Sequence, residues 1–134
     1  MLHEDYVSFE QAKVLKKLGF DWPVYQYYLI NGLGDVVLWF PEGERNPNSN
    51  GDDDFSAPTL YQAAKWLREE KGIVILIDYQ HFDVKESFYA YHISYTYNND
   101  LYSVGVDYPT YEKALSAGID RALWEIMEGR RRME

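Results

Sequence analysis

The segment from Pro58 to Tyr79, PTLYQAAKWLREEKGIVILIDY, constrains the fold more than any other stretch of the chain. Thr59 and, three residues on, Gln62 have the spacing of a capping box, which predicts a helix running through Ala63, Ala64, Trp66 and Leu67. Gly72 is placed to end that helix, because a left-handed residue costs least at glycine. Ile73-Val74-Ile75-Leu76-Ile77 follows and is apolar on both alternating sets of positions. Too short to span a membrane as a helix, it reads as an interior strand and so as the middle of a sheet.

Upstream, Ser8 and Gln11 repeat the capping-box spacing and predict a helix from Ser8 to Gly19 with Ala12, Leu15 and Leu18 on its apolar stripe. Pro23 stops it. Two strands, Val24 to Ile30 and Val36 to Phe40, are joined through Asn31-Gly32-Leu33-Gly34-Asp35, a sequence suited to a hairpin. Residues 41–56 are polar, acidic and punctuated by glycine and proline, and read as a mobile surface loop.

Downstream of the apolar run, a connection from Gln80 to Glu86 leads to a long alternating strand, Ser87 to Tyr97. A turn at Asn98-Asn99-Asp100 then feeds a strand from Leu101 to Asp107. Pro109 and Thr110 open a final helix whose stripe includes Ala114, Leu115, Ala122 and Leu123, with residues 129–134 as a C-terminal tail. Gly118 weakens this helix by about 1 kcal/mol relative to alanine unless close packing needs the space. The order α-β-β-α-β-β-β-α predicts an α+β fold. It would be a single two-layer domain over residues 1–134, a mostly antiparallel five-stranded sheet with helices on one face. The strands flanking the central helix are expected to run parallel through a right-handed crossover.

A length of 134 residues suits one core. Net charge is −9, from 13 Lys+Arg against 22 Asp+Glu, which repels phosphate backbones and disfavours nucleic acid as a partner. There is no cysteine, hence no disulfide, thiolate metal site or cysteine nucleophile. The N-terminus lacks the basic flank and apolar run of a secretory signal, and no segment has the length of a membrane span. The expectation is a soluble cytoplasmic protein that needs no cofactor and does not engage a membrane.

Chemical motifs are sparse. Asn46 to Asp54 spaces oxygen side chains around Gly51 in the manner of a calcium loop, but Ala57 stands where a bidentate glutamate is needed, so a solvated acidic loop explains the same residues. His81, Asp83 and His92 supply the ligand types of a two-histidine-one-carboxylate metal site and define an enzyme alternative. No nucleophile elbow, phosphate-cradling loop or dinucleotide fingerprint occurs. Glu42 and Glu44 lie in a surface loop that offers no means of raising a carboxyl pKa.

Thirteen tyrosines are the oddest feature. Tyr89, Tyr91, Ile93, Tyr95 and Tyr97 share one face of a strand by period-two geometry, Tyr102 lies on its neighbour, and Tyr25 and Tyr27 form a smaller stripe. Either the rings pack beneath the helices, or they cover a helix-free face and bury against a partner. The second arrangement makes these residues the candidate partner-binding site, with a second copy of the chain or another protein as partner.

Three segments, YVSFEQAKVLKKLGF (6–20), APTLYQAAKWLREEKGIVI (57–75) and YPTYEKALSAGIDRALWEIM (108–127), together resemble an uncharacterised family of small proteins from gut-type bacteria, their phages and integrated elements. The resemblance implies a fold and a mobile-element context; it carries over no catalytic or binding residue. The functional expectation is a noncatalytic interaction or accessory protein. Two alternatives stand beside it: a small metal-dependent or small-molecule enzyme around His81, Asp83 and His92, and an acidic competitor of a nucleic-acid-binding protein, suggested by Asp52-Asp53-Asp54.

Overall fold

The computed structural model describes residues 5–49, 51–81, 87–96 and 98–133, with side chains for 5–49, 51–80, 88–96 and 104–129. Among the described residues the fold is α+β with three α-helices, but the strands form two antiparallel three-stranded sheets where one sheet of five was expected. The sheets belong to two compact units, residues 1–61 and 62–134.

In the first unit, α1 (Phe9–Lys17) begins as its sequence demands. Ser8 Oγ accepts from the Gln11 N–H while the Gln11 side chain accepts from the Ser8 N–H, at 3.1 and 2.8 Å. Strands β1 (Tyr27–Ile30) and β2 (Val36–Trp39) form the expected hairpin, in register from Tyr27↔Trp39 to Ile30↔Val36. The expected first strand starts three residues late. Val24 instead exchanges backbone hydrogen bonds with Arg45, both at 2.7 Å.

The third strand of this sheet, β3 (Asp54–Ser56), lies inside the stretch read as a mobile loop and pairs with β1. A short 3-10 turn, Pro47–Ser49, braces it. Asn48 Nδ2 donates to the Phe20 carbonyl at 2.9 Å, and its Oδ1 accepts from the Ser56 N–H at 2.8 Å. Helix α1 is pinned to the sheet by edge-on ring contacts of Phe9 with Tyr28 and Phe55. Tyr28 also donates its hydroxyl to the Val7 carbonyl at 2.6 Å.

Helix α2 (Leu60–Lys71) ends at Gly72, which takes a φ of 68°, the left-handed conformation expected there. Strand β3 before it and β4 (Ile73–His81) after it lie in different sheets, so the predicted parallel crossover does not form. All strand pairings among the described residues are antiparallel.

The second unit has the strand order β4-β5-β6, with β5 (Ser87–Tyr95) in the centre and β6 (Asn98–Tyr108) beyond it. The apolar run therefore sits at a sheet edge and not in the middle. Helix α3 (Tyr111–Met133), opened by Thr110 Oγ1 accepting from the Lys113 N–H at 3.1 Å, packs across all three strands. The helix continues through Met133, across the residues read as a tail.

Ala114, Leu115, Ile119, Ala122 and Leu123 make its buried stripe. Gly118 lies within it for a packing reason: a Cβ there would stand 2.7 Å from Ile75 Cγ2 and 3.3 Å from Tyr91 Cβ. The missing side chain lets the helix backbone descend onto the sheet, so the propensity cost secures close packing.

Candidate interaction surface

Alternation along β5 sends Tyr89, Tyr91, Ile93 and Tyr95 to one side, and that side is the one α3 covers. Ile93 is fully buried and Tyr91 is 8% exposed. The Tyr91 ring lies across Gly105 of β6, its register partner, and beside the Tyr108 ring at 5.9 Å between centroids. Burial, with Tyr91 and Asp120 nearby, raises the Tyr108 phenol above its ordinary pKa. Tyr89, half-buried, meets the rings of Tyr79 and Tyr111 at 5.0 and 6.2 Å.

Of the expected partner face of Tyr89, Tyr91, Ile93 and Tyr95, the Tyr91 and Ile93 side chains are buried. These side chains lie on the helix-covered side, and a partner cannot reach Tyr91 or Ile93 without displacing α3. Tyr102 belongs to β6 but its side chain lies outside the described residues, as does Tyr97 altogether. In the first unit Tyr25 is exposed and donates to Glu44 Oε1 at 3.0 Å. That hydrogen bond and the Glu44 charge raise the Tyr25 pKa.

The opposite face of the second sheet is different. Leu76, His92 and Val104 stand side by side on three adjacent strands, in register. Leu76 is 52% exposed, Val104 51% and, two residues along β6, Val106 54%. The surface around them is uncharged until Asp78, whose Oδ2 lies 3.7 Å from His92 Nε2. His92 Nδ1 is buried with no hydrogen-bonding partner among the described residues. In the first unit, exposed apolar residues include Ile30 and Val36, paired at the β1–β2 hairpin beside Leu33, and Phe40, whose ring meets Tyr6 edge-on at 5.8 Å. Single exposed rings are ordinary, whereas an apolar row running across three strands marks a contact surface.

Of the predicted metal ligands, only His92 has a described side chain. His92 pairs with Leu76, and His81 is five residues further along β4, roughly 17 Å away at the rise of a strand. Asp83 lies outside the described residues. Among the described residues no three His, Asp or Glu side chains converge.

The loop read against a calcium site uses Asn48 to hold backbone groups of its own unit, and Asn50 lies outside the described residues. Asp54 belongs to β3, which leaves Asp52 and Asp53 as the exposed part of the acidic triplet.

An open groove of ≈ 480 Å³ runs along α1, lined by Glu10, Lys13, Val14, Lys16, Lys17 and Phe55. Two of its cations have structural partners. Lys16 donates to the Gly51 and Asp54 carbonyls and lies over the Phe55 ring, and Lys13 pairs with Glu10 at 3.0 Å. Lys16 thereby holds the loop to the helix, whereas the Lys13–Glu10 pair lies within α1. Among the described residues no helix is long and apolar enough to cross a membrane.

No family model, curated protein or solved structure matches the chain.

Proposed function

We propose that the chain is a noncatalytic protein–protein interaction domain that binds its partner through the helix-free face of the β4-β5-β6 sheet. The observation that carries this reading is the row Leu76, His92, Val104, with Val106 beside it, whose three aliphatic members are each more than half exposed. In a chain with a net charge of −9, a surface of this kind is a place where a second protein can bury apolar area without meeting like charge. The partner is another protein or a second copy of the chain. The mobile-element context implied by the three resembling segments belongs to the same proposal.

Site-specific photo-crosslinking tests it. A benzoylphenylalanine at Leu76 or at Val104 should give a discrete crosslinked species in cells, and one at Lys113, exposed on α3, should not. Crosslinks absent from both sheet positions, or equal at all three, would refute the assignment.

A further inference from the structure

The two edges of the second sheet are built in opposite ways. Strand β6 meets β5 through three register shifts, carries Asp107 at a φ of 71°, and is followed by Pro109. Bulges, a left-handed non-glycine residue and a proline all spoil an edge for further pairing. Strand β4 has none of these. It pairs with β5 without a shift from Ile73↔Tyr95 to His81↔Ser87, and no strand among the described residues pairs with its other edge. From Ile73 to Tyr79 it contains no lysine and no proline, and Asp78 is its single charge.

The backbone groups on that open edge follow from one hydrogen bond. The Thr96 N–H donates to the Gly72 carbonyl at 2.8 Å. Antiparallel alternation then directs the N–H and C=O groups of Val74, Leu76, Asp78 and Gln80 toward β5, and those of Ile73, Ile75, Ile77 and Tyr79 away from it. A regular strand with a single charge, whose Ile73, Ile75 and Ile77 donors and acceptors point away from β5, is a template for one more strand.

We infer that this strand is β4 of a second copy, paired antiparallel about a two-fold axis at Ile75 so that each copy adds three strands to one continuous sheet. The inference goes beyond the face reading to the edge of the same sheet, since edge pairing leaves Leu76, His92 and Val104 open on the helix-free face. The run Ile-Val-Ile-Leu-Ile is symmetric in character about its centre, so an antiparallel copy places Ile73 opposite Ile77, Val74 opposite Leu76 and Ile75 opposite itself. About six backbone hydrogen bonds form along that run.

Charge agrees with the register. Asp78 falls opposite Gly72 of the other copy, so two acidic chains meet across a neutral centre with the two Asp78 carboxylates held apart at its opposite ends. The axis, perpendicular to the sheet, leaves both α3 helices on one side and joins the two helix-free faces on the other.

Light scattering coupled to gel filtration of the full chain should report a dimer. Val74→Lys/Leu76→Lys and Val74→Glu/Leu76→Glu, both on the helix-free face, should each be folded monomers, and their mixture should recover the dimer, because Lys then faces Glu across the axis. As an independent check on a chain without cysteine, Val74→Cys mixed with Leu76→Cys should form a disulfide-linked pair under mild oxidation at least several-fold faster than either alone.

A wild-type monomer that still crosslinks to another protein through Leu76 overturns self-pairing and leaves the interaction reading standing. A dimer that both charged variants retain, with no disulfide between positions 74 and 76, overturns β4 as its interface. A monomer without crosslinks overturns both.

Discussion

Gly105→Ala probes the packing that hides the tyrosine face. A Cβ at position 105 would lie 2.1, 2.6 and 2.8 Å from Cε2, Cζ and Cδ2 of Tyr91. Carbon atoms rest at about 3.5–4.0 Å, so the ring would have to withdraw by roughly 1.4 Å or more. It has little room to do so, because the backbone of α3 at Gly118 closes over its Cβ and the Tyr108 ring stands beside it. Overpacking a filled core costs about 1–3 kcal/mol, and the backbone entropy saved by replacing a strand glycine returns roughly 0.5–1 kcal/mol.

The expected net loss is about 1–2 kcal/mol, or roughly 3–8 °C in Tm for a chain this long. Urea and thermal unfolding followed by circular dichroism would measure it, with Gly32→Ala as a control where nothing lies within 4 Å. In a Tyr91→Leu background the same substitution should cost about 1 kcal/mol less, since the obstructing ring is gone. A Gly105→Ala protein as stable as wild type, or one equally destabilised in both backgrounds, would refute the reasoning.

Within α3, Gly118→Ala should destabilise by about 1 kcal/mol despite alanine's better helix propensity, whereas Gly129→Ala, with open space around it, should be neutral or stabilising by up to about 1 kcal/mol in the same unfolding assay. Asn48→Ala removes the partners of the Phe20 carbonyl and the Ser56 N–H together, so a loss of about 1–3 kcal/mol and faster amide exchange at Ser56 are expected. Burial raises the Tyr28 phenol above its ordinary pKa of 10.0, so the contribution of the protonated phenol is fully present below that value and is lost as pH rises through the folded-state pKa. Tyr28→Phe should therefore flatten the alkaline fall in stability near and above pH 10, while costing about 1 kcal/mol at neutral pH through the lost bond to the Val7 carbonyl.

Local signals in the sequence carried much of this structure. The Ser8/Gln11 box, the Thr110 cap, the left-handed Gly72 and the β1–β2 hairpin all form where short-range chemistry places them. Strand β3 was not legible, because Asp54-Phe55-Ser56 is too short and too polar to stand out from the acidic loop around it. Once that strand pairs with β1, the strands sort into two sheets, and adjacency in sequence no longer predicts adjacency in space.

The run Ile73–Ile77 misled for a related reason. A strand apolar on both faces reads as interior whether a neighbour covers its second face and edge or only a partner could. The inward direction of the tyrosines did leave a trace: Gly105 and Gly118, one on the strand beside Tyr91 and one on the helix above it, are the two residues whose missing side chains make room for that ring.

The claim that β4 offers its open edge to a second copy is tested most directly by residue-resolved amide exchange along β4 at increasing protein concentration. Val74, Leu76 and Asp78 should be protected throughout, because their N–H groups face β5. Ile75 and Ile77 should become equally protected as concentration rises. Free exchange at Ile75 and Ile77 at every concentration, beside protected neighbours, would contradict the account.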